Sequence, residues 1–164
     1  MVFASMKRSS LVVFLSLAFL TGCGPKESSA PGAAAPSGPR EIDLTAGDTM
    51  KFNTTSLEAS PGEDLDVVLT NIGTVPVEVM GHNWVLLKAG SDAAEFSNAA
   101  SVAKDTGYIP PSLKDEIIAH IDVLGPRKSG EVRFKAPTVP GSYPFLCSFP
   151  GHCAAGMKGT LVVR

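Results

Sequence analysis

The sequence predicts an all-β fold, a sandwich or barrel of short strands with one short helical insertion. Three observations predict it. Apolar residues alternate at period two in several short runs. Gly/Pro turn signals separate those runs: Ser60-Pro-Gly-Glu63, Asn71-Ile-Gly-Thr74, Gly125-Pro-Arg-Lys-Ser-Gly130 and Val139-Pro-Gly141. One Ala-rich stretch lacks the alternation. In chain order, Leu65, Val67 and Leu69 form the buried face of a strand reaching Asn71. His82 and Trp84 share a parity and are expected to face inward together. Ser91 to Asp105 reads as a helix, capped by Ser91 and ended by Ile109-Pro-Pro111. Ile117, Ala119, Ile121 and Val123 alternate against Glu116, Ile118, His120 and Asp122. Val132, Phe134 and Ala136 alternate with Glu131, Arg133 and Lys135. Tyr143, Phe145 and Cys147 share the inner face of another strand. Gly159 opens the last one, Thr160 to Val163. Regular short strands with such turns are the pattern of a two-layer β domain.

The chain of 164 residues divides into three parts. Residues 1–23 read as a secretion signal: Lys7 and Arg8, then the apolar run Leu11 to Leu20, too short to span a bilayer as a helix. Leu20-Thr-Gly-Cys23 resembles a bacterial lipobox, in which the Cys is acylated and becomes the new N-terminus. Lipidation at Cys23 would anchor the protein in a membrane through two or three acyl chains. Residues 24–40, rich in Pro, Gly, Ala and Ser without apolar periodicity, read as a flexible tether. Residues 41–164 are long enough for one core. They hold ten Lys+Arg against fifteen Asp+Glu, a net of −5. With no basic stripe, nucleic acid is not expected as a partner. Apart from Cys23, the only cysteines are Cys147 and Cys153, too few for a disulfide scaffold in an exported domain.

Cys147-Ser-Phe-Pro-Gly-His152-Cys-Ala-Ala-Gly-Met157 puts a thiol, an imidazole and a thioether on one loop between two strands. A second imidazole stands upstream in Met80-Gly-His82-Asn-Trp84. Two His and one Cys in a plane with a weak axial Met form the ligand set of a blue-copper electron-transfer site. The soft thiolate donates charge to the metal, the neutral imidazoles suit both oxidation states, and the weak axial ligand keeps geometry similar in each. The expected ligands are His82, Cys147, His152 and Met157, with the carbonyl of Gly81 as a distant fifth contact. Pro150-Gly151 turns the loop so that His152 returns toward the sulfur, with one ring edge near the surface. The Asn83 amide is placed to hydrogen-bond across to Cys147–Ser148, and Phe149 flanks the site. Met80, Phe149, Pro150, Ala154 and Ala155 are expected to form an apolar rim where partners dock. Trp84 reads as core and His120 as surface. Cys153 reads as a packed or surface thiol, or as an extra ligand.

These motifs, with Ile118-Ala-His120 and Met157-Lys-Gly-Thr-Leu161, resemble the azurin-type cupredoxins across 41–164. The resemblance implies a Greek-key β-sandwich and one type 1 copper cycling between Cu(II) and Cu(I). It implies a monomer that is not an enzyme. Expected partners are c-type cytochromes or terminal reductases and oxidases at the bacterial envelope, facing the periplasm or cell exterior. Four residues separate His152 from Met157 where azurins have three, a spacing similar to that of the membrane-tethered auracyanins. The azurin disulfide is missing, and a His of azurins is replaced near Asn71. Three rivals remain. A copper carrier or store would use the same ligands. A zinc module would add Cys153. A copper enzyme would need a second set of His ligands, and the chain has only His82, His120 and His152.

Overall fold

The computed structural model describes residues 38–164. The expected signal, Cys23 and most of the expected tether lie outside those residues. Nine strands and two α-helices follow in order: β1 (Arg40–Gly47), β2 (Lys51–Phe52), β3 (Ser56–Ala59), β4 (Asp64–Asn71), α1 (Val77–Met80), β5 (His82–Leu87), α2 (Ala93–Ala100), β6 (Ile117–Leu124), β7 (Ser129–Lys135), β8 (Gly141–Leu146) and β9 (Lys158–Val163). Two 3₁₀ turns, Lys104–Thr106 and Pro111–Glu116, lie between α2 and β6.

The strands form two sheets, ordered β2-β1-β4-β7 and β3-β9-β8-β5-β6. β1 runs parallel to β4 and β3 parallel to β9; the other pairings are antiparallel. The chain crosses between sheets repeatedly, as a Greek-key sandwich requires. Period-two side chains meet in the middle: Ile42, Leu44, Val67 and Leu69 from one sheet, and Leu57, Trp84, Leu86, Ile121, Phe145 and Leu161 from the other. Strands β1 to β3, which the sequence reading did not single out, follow the same rule. Arg40 already belongs to β1, one residue ahead of the expected boundary. Its guanidinium donates to Glu63 at 2.6 Å and to the Glu58 carbonyl at 2.6 Å.

β5 is buried along its whole length, not on alternate residues. Its inner side chains enter the main core. Val85 and Leu87 pack outward with Leu146 against Phe96, Ala100 and Cys153. Helix α2 covers that outer face, so the run Trp84-Val-Leu-Leu87 is apolar on both sides. Phe96 and Ala100, four residues apart, lie on one helix face and are fully buried. The helix differs from the sequence expectation at both ends. Its cap is Asp92, not Ser91: Asp92 Oδ1 accepts from Ala94 N at 2.7 Å. It stops at Ala100, and Pro111 begins a 3₁₀ turn instead of ending the helix. Ile117 also departs from the predicted parity. A register irregularity between Leu86 and Leu87 puts Ile117 under the insertion and sends Ile118 to the main core.

Candidate metal centre

The site forms where β5 begins and β8 ends. Adjacent strands of one sheet bring His82 and Cys147 together from positions far apart in sequence. The loop from 147 to 157 is closed by its own backbone. Cys147 N donates to Met157 O at 3.0 Å, His152 N to Phe149 O at 3.1 Å, and Met157 N to His152 O at 2.9 Å. Gly151 (φ +83°) and Gly156 (φ +95°) take the left-handed turns that side chains disfavour. Lys51 Nζ donates to the Ala155 carbonyl and ties the loop to β2.

One donor atom each from His82, Cys147 and His152 lies within 4.8 Å of the others. Cys147 Sγ is 3.4 Å from His152 Nδ1. The two imidazole centroids are 4.9 Å apart, tilted by 44°. All three residues are buried. Met157 is fully buried and linked to Cys147 and His152 through main-chain hydrogen bonds. Gly81 precedes His82 with ordinary backbone angles, φ −68° and ψ 146°. Packing, not conformation, excludes a side chain there: a Cβ would lie 2.5 Å from Val123 Cγ1, 2.9 Å from the Val77 carbonyl and 3.0 Å from Phe149 Cε2.

The electrostatics suit a metal. Neither ring nitrogen of His82 has a well-formed hydrogen bond, although both are buried. Such orphaned groups are costly unless something ligates them. Burial lowers the His82 pKa, opposed by the Asp48 carboxylate and the Gly47 carbonyl. Burial, then the neighbouring His82, lowers His152 to about 4. Both rings are therefore neutral, the form that binds metal. Burial pushes the Cys147 thiol up to about 12, although the backbone N–H groups of Asn83 and Phe149 oppose the shift. A thiol so placed needs a cation beside it to ionise. One soft sulfur and two imidazoles, buried and lacking protons at the ring acceptors, fit copper.

A polar clamp joins the two ligand segments. Asn83 Nδ2 donates to Ser148 Oγ at 2.7 Å, and Ser148 N donates to Asn83 Oδ1 at 2.7 Å. Asn83 N lies 3.5 Å from Cys147 Sγ. The Phe149 ring sits 4.8 Å from that of His152.

Of the residues expected to form the docking rim, Met80 and Pro150 are partly exposed, and Ala154 and Ala155 are exposed. Two sequence expectations need correction. Phe149 is only 6% exposed, because its ring packs against Tyr108 and His152, so it is not part of a docking surface. His152 is only 2% exposed, its ring packed against those of His82 and Phe149. Val79, one residue before Met80 in α1, is a further exposed apolar side chain, 63% exposed. Cys153 turns away: its Sγ lies 3.6 Å from the Ala93 carbonyl, on the α2 side of the sheet. It stands outside the three-residue cluster, so the zinc arrangement is not formed. His120 lies on the surface with Asp122 at 3.5 Å. Asn71 is buried, its amide spanning the Leu124 carbonyl and Gly73 N.

Residues 40–164 match the family model described as copper binding proteins, plastocyanin/azurin family. The chain belongs to this family. It is a cupredoxin of azurin type, and copper is the metal of its His–Cys–His cluster. Azurin of Pseudomonas chlororaphis is 35% identical over 127 residues, covering 76% of this chain and 98% of that protein. Among solved structures, auracyanin A, described as a "blue" copper protein from Chloroflexus aurantiacus, superposes with a TM-score of 0.69 at 34% identity, covering 77% of this chain and 100% of that one. Dithionite-reduced auracyanin from Roseiflexus castenholzii gives a TM-score of 0.69 at 32% identity, covering 77% and 98%.

Proposed function

We propose that this cupredoxin carries single electrons between redox proteins at the bacterial cell envelope, held there by a lipid on Cys23. The observation that carries the reading is the buried His82–Cys147–His152 cluster, whose ligand segments also carry the exposed or partly exposed apolar residues Met80, Pro150, Ala154 and Ala155. His82, Cys147 and His152 would hold the metal, with the Met157 thioether and the Gly81 carbonyl as weaker contacts. Bound copper supplies a centre that gains or loses one electron without making or breaking a bond to substrate. The protein does the rest. Burial excludes water. The Asn83–Ser148 clamp and the loop hydrogen bonds hold the ligands in place before metal arrives, so they have little to rearrange. Two backbone N–H groups pointing at the Cys147 sulfur stabilise its anion.

With Nδ1 turned to the sulfur, the far edge of His152 is the shortest way out. Met80, Pro150, Ala154 and Ala155, close to the ligands in sequence and exposed or partly exposed, are the residues proposed to line that exit. A partner docks there briefly, in the small-interface range of redox encounters. C-type cytochromes and terminal reductases or oxidases are the partners proposed, and the carrier works as a monomer.

The test is redox cycling of the copper-loaded protein against a c-type cytochrome. Reversible one-electron exchange with copper retained over many cycles supports the reading. Release of copper on each reduction would instead make the protein a copper carrier or store.

A further inference from the structure

Tyr108 lies in the insertion between α2 and β6, at φ +64°. That region is strained for a bulky L-residue and is held only where the surroundings demand it. The surroundings here lead to two metal ligands. The Tyr108 carbonyl accepts the Ser148 hydroxyl at 2.7 Å, and Ser148 is bonded to Cys147. The Tyr108 ring meets Phe149 edge-on at 4.9 Å and 60°, and Phe149 lies 4.8 Å from His152. The same residue packs against both apolar clusters, so it is braced from the main core and from the α2 side. Its hydroxyl makes no hydrogen bond among the described residues, which leaves the ring and the carbonyl as the working groups.

We propose that Tyr108 is a positioning residue of the electron-transfer site: through Ser148 and Phe149 it couples the helical insertion to Cys147 and His152 and limits how far both ligands move when the metal changes charge. This rests on the electron-carrier reading above.

The test uses the full-length chain in detergent, with Tyr108→Gly, Tyr108→Phe and Ser148→Ala variants. Hydrogen exchange of the metal-free protein is followed at residues 147–157, with β4 as an internal reference. Tyr108→Gly removes an edge-to-face ring pair, so exchange at 147–157 is expected to rise about two- to tenfold relative to β4. Ser148→Ala is expected to raise it as well, and Tyr108→Phe to leave it unchanged. In the copper-loaded protein, electron self-exchange is expected to slow in Tyr108→Gly and not in Tyr108→Phe.

Exchange at 147–157 that stays constant, or rises only in step with β4, overturns the proposal, since that is what a purely structural residue does. So does a Tyr108→Phe variant as loose as Tyr108→Gly, or a loosened loop with unchanged self-exchange. The metal-free arm does not depend on the carrier reading. If the parent protein failed to cycle electrons at all, that reading would fall, and the exchange data would still decide whether Tyr108 holds the loop.

Discussion

Replacing Gly81 by Ala adds one methyl group at the tightest point beside the site. The new Cβ would lie 2.5 Å from Val123 Cγ1 and 2.9 Å from the Val77 carbonyl oxygen. Val123 can turn its side chain, but the Val77 carbonyl is backbone in α1 and cannot. Relief therefore requires α1 or the start of β5 to shift, and His82 is the next residue. Overpacking of this kind costs about 1–3 kcal/mol, and a backbone obstacle favours the middle of that range or above. For a domain of this size, about 2 kcal/mol corresponds to roughly 6–10 °C in Tm. Since φ at Gly81 is −68°, the loss comes from contact and not from backbone strain. Thermal unfolding of the metal-free protein by circular dichroism measures it, and the visible spectrum of the loaded protein reports whether His82 has moved. A Gly81→Ala variant melting within a degree of the parent would refute the packing argument.

Three further outcomes follow from the same contacts. Asn83→Ala removes both hydrogen bonds to Ser148 and strands a buried N–H, so denaturant unfolding of the metal-free protein should show a loss of about 2–4 kcal/mol. Ala154→Asp or Met80→Lys, both at the rim, should slow electron transfer to a natural partner in stopped flow while the absorption spectrum stays unchanged. Because the folded-state pKa values of His82 and His152 are depressed, the unfolded chain binds more protons below the ordinary histidine range. Stability of the metal-free protein should therefore be full from about pH 6.5 up to the ordinary thiol range, where the raised Cys147 pKa begins to act, and fall as the pH drops toward the His152 value of about 4. A urea midpoint that is flat across that window would contradict neutral buried rings.

Much of the site was legible in the sequence because its chemistry is local. Cys147, His152 and Met157 share one loop, and the Pro150-Gly151 pair announces the turn that folds it. His82 needed only strand parity with Trp84. The contacts that brace the site were harder to see. Ser148 and Tyr108 are forty residues apart, and no periodicity links a loop hydroxyl to a carbonyl inside a helical insertion. Trp84 to Leu87 read as one run of apolar residues, whose second buried face becomes evident only when α2 is packed on it. The parity of Ile117 failed because one irregular register step reverses every side chain before it. Asp92 outcompetes Ser91 as a cap by position alone, since a side chain one residue closer reaches Ala94 N. The burial of His152 depends on the rings of His82 and Phe149 packing against it, a contact partly made by a distant segment that the loop sequence does not specify.

The most direct test of the metal centre is the visible and EPR spectrum of the copper-loaded protein beside its Cys147→Ser variant. An intense thiolate-to-copper charge-transfer band, one type 1 copper signal, and loss of both in the variant are predicted. A Cys147→Ser protein that kept the parent's colour would show that this sulfur is not bound to the metal.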